Sequence, residues 1–348
     1  VIDSDAHFAE PADLWSSRGL PTIEGTGWNA VKVNGVRLPA QRWDHPVDVE
    51  SYGAGLGRIQ RDAFQHGYDP GSYVRAFARE GITDAVLYPT RGLALLSCPL
   101  VPVVTLHRAC EVFNEWAAEF CADSESGLGA AGMLALSGRQ HLAHHAEDCG
   151  LSSVVTVPHP SVDFSHPDLD NVYDFLACAG LPLVFHTGAG APDSYGSEQS
   201  TYLRAHAMVH PFTMMRALME IVVGGVLARH PKLRVGFFEA GAWWLPGWIE
   251  RLDAHALGHF GAQHYALPRL PSQYVKDGNV FVTLDAGEPI GALVDAGLEK
   301  CLLFASDYPH GDAAWPYARR LTERAAGAWW RQISETNPRR LYRLKETR

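Results

Sequence analysis

Positive charge is what this sequence has least to spare. Its 348 residues carry 29 Lys and Arg against 39 Asp and Glu, a formal net charge of -10. Affinity for nucleic acid rests on a surface surplus of Lys and Arg, so a polyanion partner is disfavoured. Cysteine is sparse too: six residues, at 98, 110, 121, 149, 178 and 301, with no CxxC among them. Their spacing gives no disulfide framework, and their apolar contexts read as reduced core thiols of a cytosolic protein. No apolar run reaches the roughly 18 residues of a membrane helix, and no charged-then-apolar leader is visible. Val1 stands where a Met would begin a chain, so a residue or more is expected to be trimmed or not included. A GxGxxG after the first strand is missing, so no redox dinucleotide is implied. The stretch GAGAPDSYGS at 188–197 resembles a phosphate loop in composition but lacks the Lys-Ser/Thr ending, which discounts nucleotide binding.

What is present is a repeated pattern of short apolar runs that stop at polar residues. The clearest is KCLLFASDYPH at 300–310: five apolar residues, 301–305, then Ser306, Asp307 and a turn at Pro309. An apolar run without alternation marks a strand covered on both faces, as in a parallel sheet. A carboxylate ending such a strand needs a cation or a set of donors, because burying it unpaired costs several kcal/mol. Similar runs fall at 81–89, 128–136, 151–157, 181–187, 233–238 and 279–284, and a first strand begins almost at the terminus. Helical spacing fills the intervals at 73–80, 107–122, 141–149, 170–179, 212–229 and 248–257, and two more helices follow near 317–323 and 329–336. Eight strands alternating with helices predict a (β/α)8 TIM barrel, with a doubly wound sheet as the alternative. The chain reads as a single domain. Residues 16–70, rich in Gly, Pro, Asp and aromatics, read as a loop insertion or lid over the site.

Barrel strands end on one common cavity, and catalytic groups gather there. Asp5 and His7 form a D-x-H at the end of the first strand, two residues apart and so on one side of it. His186 ends the fifth strand, Glu239 follows the sixth and Asp307 follows the eighth. Imidazoles and carboxylates with a position left for water suit a catalytic divalent ion, most often zinc (Zn2+), with manganese (Mn2+) as the alternative. Further residues fall near strand ends and are candidates for a small-molecule substrate: Arg91, His159, Trp243 beside Trp244, and His310. His159 and His310 also fit ordinary turns, and the two Trp fit packing. Arg91 suits a carboxylate clamp. His206 and His210 precede a helix, one expected to approach the site and the other to cap.

The stretches VIDSDAHFAEPADLW, PLVFHTG, GGVLARHPKLRVGFFEAGAWWLPGWIERLD, FASDYPHGD and NPRRLYRL run in order from Val1 to Leu344. This series resembles the amidohydrolase superfamily, in particular the amidohydrolase-related branch that includes aminocarboxymuconate-semialdehyde decarboxylase and the resorcylate-type decarboxylases. The resemblance implies one divalent ion held by Asp5, His7, His186 and Asp307, with Asp307, Glu239 and His186 in catalytic roles. It implies a metal-dependent, non-oxidative decarboxylase of an aromatic or unsaturated carboxylic acid. A hydrolase of an amide, ester or lactone using the same site is the alternative, and a non-catalytic binding protein the second. Family habit implies a homodimer or larger homo-oligomer. Two departures stand out: D-x-H replaces the commoner H-x-H, and Glu239 stands where the decarboxylases often place a His. The first gives a harder site that tilts toward manganese. The second leaves Glu239 either a proton carrier or a group that orients His186.

Overall fold

A computed structural model of the chain describes residues 1–26, 30–38, 61–98, 101–136, 140–188, 202–259, 261–311 and 313–344. The strands in chain order are β1 (Ile2–His7), β2 (Ile23–Thr26), β3 (Ala30–Val33), β4 (Val36–Leu38), β5 (Asp84–Tyr88) and β6 (Leu128–Met133). They continue with β7 (Ser153–Thr156), β8 (Leu183–His186), β9 (Val235–Phe238), β10 (Val280–Thr283) and β11 (Leu302–Leu303). Eight form one sheet in the order β1-β5-β6-β7-β8-β9-β10-β11, every neighbouring pair parallel. The edges meet: Ser4 N donates to Phe304 O at 3.0 Å, Asp307 N to Asp5 O at 2.9 Å and His7 N to Tyr308 O at 2.7 Å. Helices lie between the strands, and the fold is the expected (β/α)8 barrel.

Strand alternation sorts the apolar residues into two cores. Leu87, Val154, Phe185, Phe237 and Val282 pack outward against the helices, whereas Val86, Val155, Val184, Phe238, Phe281 and Leu303 fill the barrel. The interior is closed from below by Leu341 and Tyr342 of the helix Asn337–Tyr342. The Tyr342 hydroxyl donates to Ser4 O at 2.8 Å and lies 2.9 Å from the Tyr88 hydroxyl. At the other end Phe8, next after His7, packs on Phe113, Trp116 and Phe120 of the helix Val103–Phe120, with ring centroids 5.7, 5.1 and 5.3 Å away. That helix face, read from its spacing, anchors the end of β1.

The structure adds detail to two readings. The stretch 16–70, read as a loop insertion or lid, has structure of its own: β2, β3 and β4 form an antiparallel sheet and Arg61–Gln65 is helical. Residues 39–60 of it lie outside the described residues. The strands are three or four residues long and carry Glu24, Lys32 and Arg37, so they show no apolar run. The helix read at 212–229 begins earlier, at Tyr202, and stops at Val223. Gly224 and Gly225 break it, Gly225 at φ 80, before the short turn Val226–Arg229. The stretch 188–197 lies outside the described residues beyond Gly188. Among the cysteines Cys98, Cys110 and Cys301 are buried, Cys121 and Cys149 half-buried and Cys178 exposed, all as free thiols. No helix among the described residues is long and apolar enough to cross a membrane.

Candidate metal centre

Asp5, His7 and His186 are buried at the C-terminal end of the barrel. Each offers one ligand atom, and these atoms lie within 4.8 Å of one another. His7, Asp307 and His310 form a second such set that shares His7. Alternation delivers Asp5, His7 and His186 inward, the last two residues above Val184. Glu239 needs more. It follows the inward-facing Phe238, so a continued strand would point it outward; instead its backbone turns left-handed at φ 58. Asp307 adopts the same region at φ 55. Strain of this kind, of order 1–3 kcal/mol for a residue such as Glu, is held where it aims a side chain at a site.

The hydrogen bonds fix which nitrogens face the centre. His7 Nδ1 sits 3.1 Å from Pro89 O, an atom that only accepts, so Nδ1 carries the hydrogen. Its Nε2 therefore presents a lone pair to Asp5 Oδ1 at 3.5 Å and Asp307 Oδ1 at 3.4 Å. That nitrogen is buried with no hydrogen-bond partner. Burial, then the charge of His310, push His7 down to about 3, so it stays neutral. A lone pair facing two carboxylate oxygens is an arrangement that a cation resolves, and the donor set fits a divalent ion. His186 Nδ1 likewise approaches Thr187 O at 2.9 Å and Glu239 Oε2 at 3.2 Å, which turns Nε2 to Asp5 Oδ1 at 3.3 Å. Burial pushes the His186 imidazolium down, but Asp5 and then Glu239 outweigh it and hold the group at about 9. Burial acts to raise Asp5, and His186 more than offsets it, bringing Asp5 to about 2.

Glu239 is joined to this network from the open side. Thr187 Oγ1 donates to Glu239 Oε2 at 2.8 Å, and Glu239 N donates to Thr283 Oγ1 at 3.0 Å. Burial pushes Glu239 up to about 8, against the opposing charge of His186. Its Oε1 is 3.8 Å from His310 Nδ1. His310 Nδ1 lies 2.7 Å from Asp307 Oδ1 and Nε2 lies 3.0 Å from Thr90 Oγ1, while the ring stacks on His7 at 4.0 Å. Tyr88 forms the floor, its ring 5.6 Å from that of His186 at 28°.

A model of the amidohydrolase family matches residues 2–344. The chain belongs to the amidohydrolase family. This amidohydrolase is thus an enzyme of the metal-dependent amidohydrolase superfamily. It is similar in structure to an amidohydrolase of Mycobacterium avium subsp. paratuberculosis K-10, with TM-score 0.76, 17% identity and 98% of each chain covered. It is similar to the 5-carboxyvanillate decarboxylase LigW2 of Novosphingobium aromaticivorans DSM 12444, with TM-score 0.72 and 18% identity over 99% of this chain and 97% of that one. That structure holds manganese and 3-methoxy-4-hydroxy-5-nitrobenzoic acid. A dihydroxybenzoic acid decarboxylase of Polaromonas sp. JS666, with manganese and 2-nitroresorcinol, aligns with TM-score 0.71 and 16% identity over 99% and 97% of the two chains. A search of curated protein sequences finds no match.

The amidohydrolase brings Asp5, His7, His186, Glu239, Asp307 and His310 together, and three other candidates have the following surroundings. Arg91 is buried, and its guanidinium donates to Glu10 O, packed beneath Gly25 of β2. The Glu10 carboxylate accepts from the backbone of Thr90, Arg91 and Gly92 at 2.9, 3.1 and 3.1 Å. His159 Nδ1 is engaged by Ser161 Oγ at 2.6 Å and Ser161 N at 3.2 Å. Trp243 is 59% exposed, and its backbone N donates to Glu288 at 2.8 Å. The companion Trp244 is buried, its indole donating to Gly241 O at 2.8 Å. His210 is buried within the helix Tyr202–Val223, and the side chain of His206 lies outside the described residues. Thr90, Thr187, Thr283 and Tyr88 were missed by sequence reasoning. Their one signal is position, since each lies at or just past the end of a barrel strand.

Proposed function

We propose that this protein is a metal-dependent, non-oxidative decarboxylase of an aromatic or unsaturated carboxylic acid. Asp5, His7, His186 and Asp307 would hold one divalent ion, zinc or manganese, and the two carboxylates in the set favour the harder manganese. When bound, the ion supplies positive charge that anchors the substrate carboxylate with a neighbouring oxygen and polarises the ring. The observation that carries the reading is the 2.7 Å contact between Asp307 Oδ1 and His310 Nδ1 at the open edge of the centre. At that distance a proton carried by either group can pass to the other. Decarboxylation needs that proton: it is delivered to the carbon bearing the carboxylate, the bond to the carboxyl carbon breaks, and carbon dioxide leaves. Asp307 is the donor in this reading, and His310, held by Thr90, refills it. Glu239, pushed up to about 8, keeps Nδ1 of His186 in place and remains neutral itself at pH 7. The similarity to decarboxylases over nearly the whole chain supports this choice.

The test is a panel of hydroxylated aromatic acids scored for carbon dioxide release by the metal-loaded protein, beside a panel of amides, esters and lactones. Asp307→Asn is expected to lower kcat by about 100-fold or more, the usual share of a positioned acid, with the thermal midpoint nearly unchanged. Hydrolysis of a panel member without carbon dioxide release would move the assignment to a hydrolase. A protein that takes up no metal would remove both.

A further inference from the structure

The other end of the barrel holds a pair of arginines, Arg234 and Arg343, that no acid pairs with among the described residues. Arg234 directly precedes β9 and is 8% exposed. Its Nη2 donates to Gly180 O, and its Nε has no hydrogen-bond partner. Arg343 follows the helix Asn337–Tyr342 at φ 53 and is exposed. Its guanidinium lies against the same glycine: a Cβ on Gly180 would sit 2.0 Å from Arg343 Nη1 and 2.5 Å from Cζ. Gly180 itself is left-handed at φ 75, ending the helix Asp170–Ala179. Two guanidiniums thus converge on one residue that has no side chain to keep them apart. Among the described residues no carboxylate pairs with either of them.

A helix C-terminus carries partial negative charge and accounts for part of this arrangement. It supplies Gly180 O to one N–H of Arg234 and leaves the buried Nε without a partner. Burial and then the charge of Arg343 push Arg234 down to about 10, the direction expected where like charges meet without compensation. An oxyanion presents several acceptor oxygens at the spacing of guanidinium N–H groups and removes both costs together.

We propose that Arg234 and Arg343 form a binding site for a small oxyanion of the phosphate class at the N-terminal end of the barrel. The site lies opposite the Asp5 and His186 cluster and does not depend on what that cluster catalyses. Thermal unfolding of the full chain in inorganic phosphate against chloride, at constant ionic strength, tests it. At ten times Kd the midpoint is expected to rise by roughly 2 °C, and calorimetry to give one phosphate site that Arg343→Gln removes. Arg343 is exposed, so this variant is expected to fold even if one at the buried Arg234 does not. An equal rise in Arg343→Gln, or none in the wild type, overturns the proposal. A response that emerges only once residues 345–348 are removed assigns the arginines to the chain's own tail and overturns it as well.

Discussion

Filling the metal centre should release a proton, and the count follows from His186. In the metal-free site Asp5 and Glu239 overcome burial and hold this imidazolium at about 9. A nitrogen that binds metal must be unprotonated, and Nε2, 3.3 Å from Asp5, is the one that faces the cluster. At pH 7 a group at about 9 is ~99% protonated, whereas an ordinary imidazole near 6.5 is ~24% protonated. His7 at about 3 and Asp5 at about 2 carry no proton to lose at that pH. His186 therefore contributes about one proton per ion bound rather than about a quarter. The same two-unit gap weakens apparent affinity at pH 7 by ~100-fold, or ~2.7 kcal/mol. Since the cost falls as the imidazolium titrates, affinity should climb about tenfold per pH unit from 6.5 to 8.5. Calorimetric titration of stripped protein with Mn2+ in two buffers of different ionisation enthalpy gives the proton count directly. Full occupancy with a count near a quarter, and an affinity flat across that range, would refute the assignment of His186 as a proton-bearing ligand.

The same raised value makes metal-free protein sensitive to alkali. His186 is at about 9 when folded and near 6.5 when unfolded, so its stabilisation is complete below 6.5 and lost as pH rises through 9. Urea unfolding of the metal-free protein should lose a few kcal/mol between these values, and the metal-loaded protein should not. Tyr342→Phe removes the donor to Ser4 O and the partner of the Tyr88 hydroxyl inside the barrel. A loss of about 1–3 kcal/mol in urea titration is expected, because a buried carbonyl is left without its hydrogen bond.

Where the sequence speaks clearly, it does so through buried strands. Runs such as Leu183–His186 and Val235–Phe238 are covered on both faces, so their composition alone marks them. The last barrel strand is legible as a run of five apolar residues, although only Leu302–Leu303 has ladder pairing; beyond it Phe304 O joins β1 by accepting from Ser4 N. The sheet β2–β4 is illegible because its strands are three or four residues long and set charged residues among the apolar ones. In the site, Asp5, His7 and His186 follow from alternation. Arg91 and His159 lie past strand ends like the others, yet local partners hold them: the Glu10 carbonyl for one and Ser161 for the other. Nothing in residue type foretells such a partner, since it depends on how two distant loops meet. His310 is the converse case: its place on His7 is set by the turn after Asp307, which the apolar run cannot specify.

Charge joins the two departures from the commoner family pattern. With neutral His7, a neutral bound His186 and the carboxylates of Asp5 and Asp307, a divalent ion gives a ligand set of zero net charge before the proton exchanged by Asp307 and His310 is counted. An H-x-H set with one carboxylate would be left at plus one. A carboxylate substrate thus meets less attraction here, and an ionised Glu239 beside it would turn the centre negative. Burial opposes that: in the metal-free site it pushes Glu239 up to about 8, so near pH 7 it is there mainly the neutral acid. Above that value Glu239 ionises 3.8 Å from His310 and 3.2 Å from His186, and repulsion of an anionic substrate should set in. In the proposed decarboxylase KM should then rise above about pH 8, and Glu239→Gln should flatten that rise while retaining its bond to Thr187. An unchanged alkaline rise in Glu239→Gln would separate the two departures and leave Glu239 as a support for His186 alone.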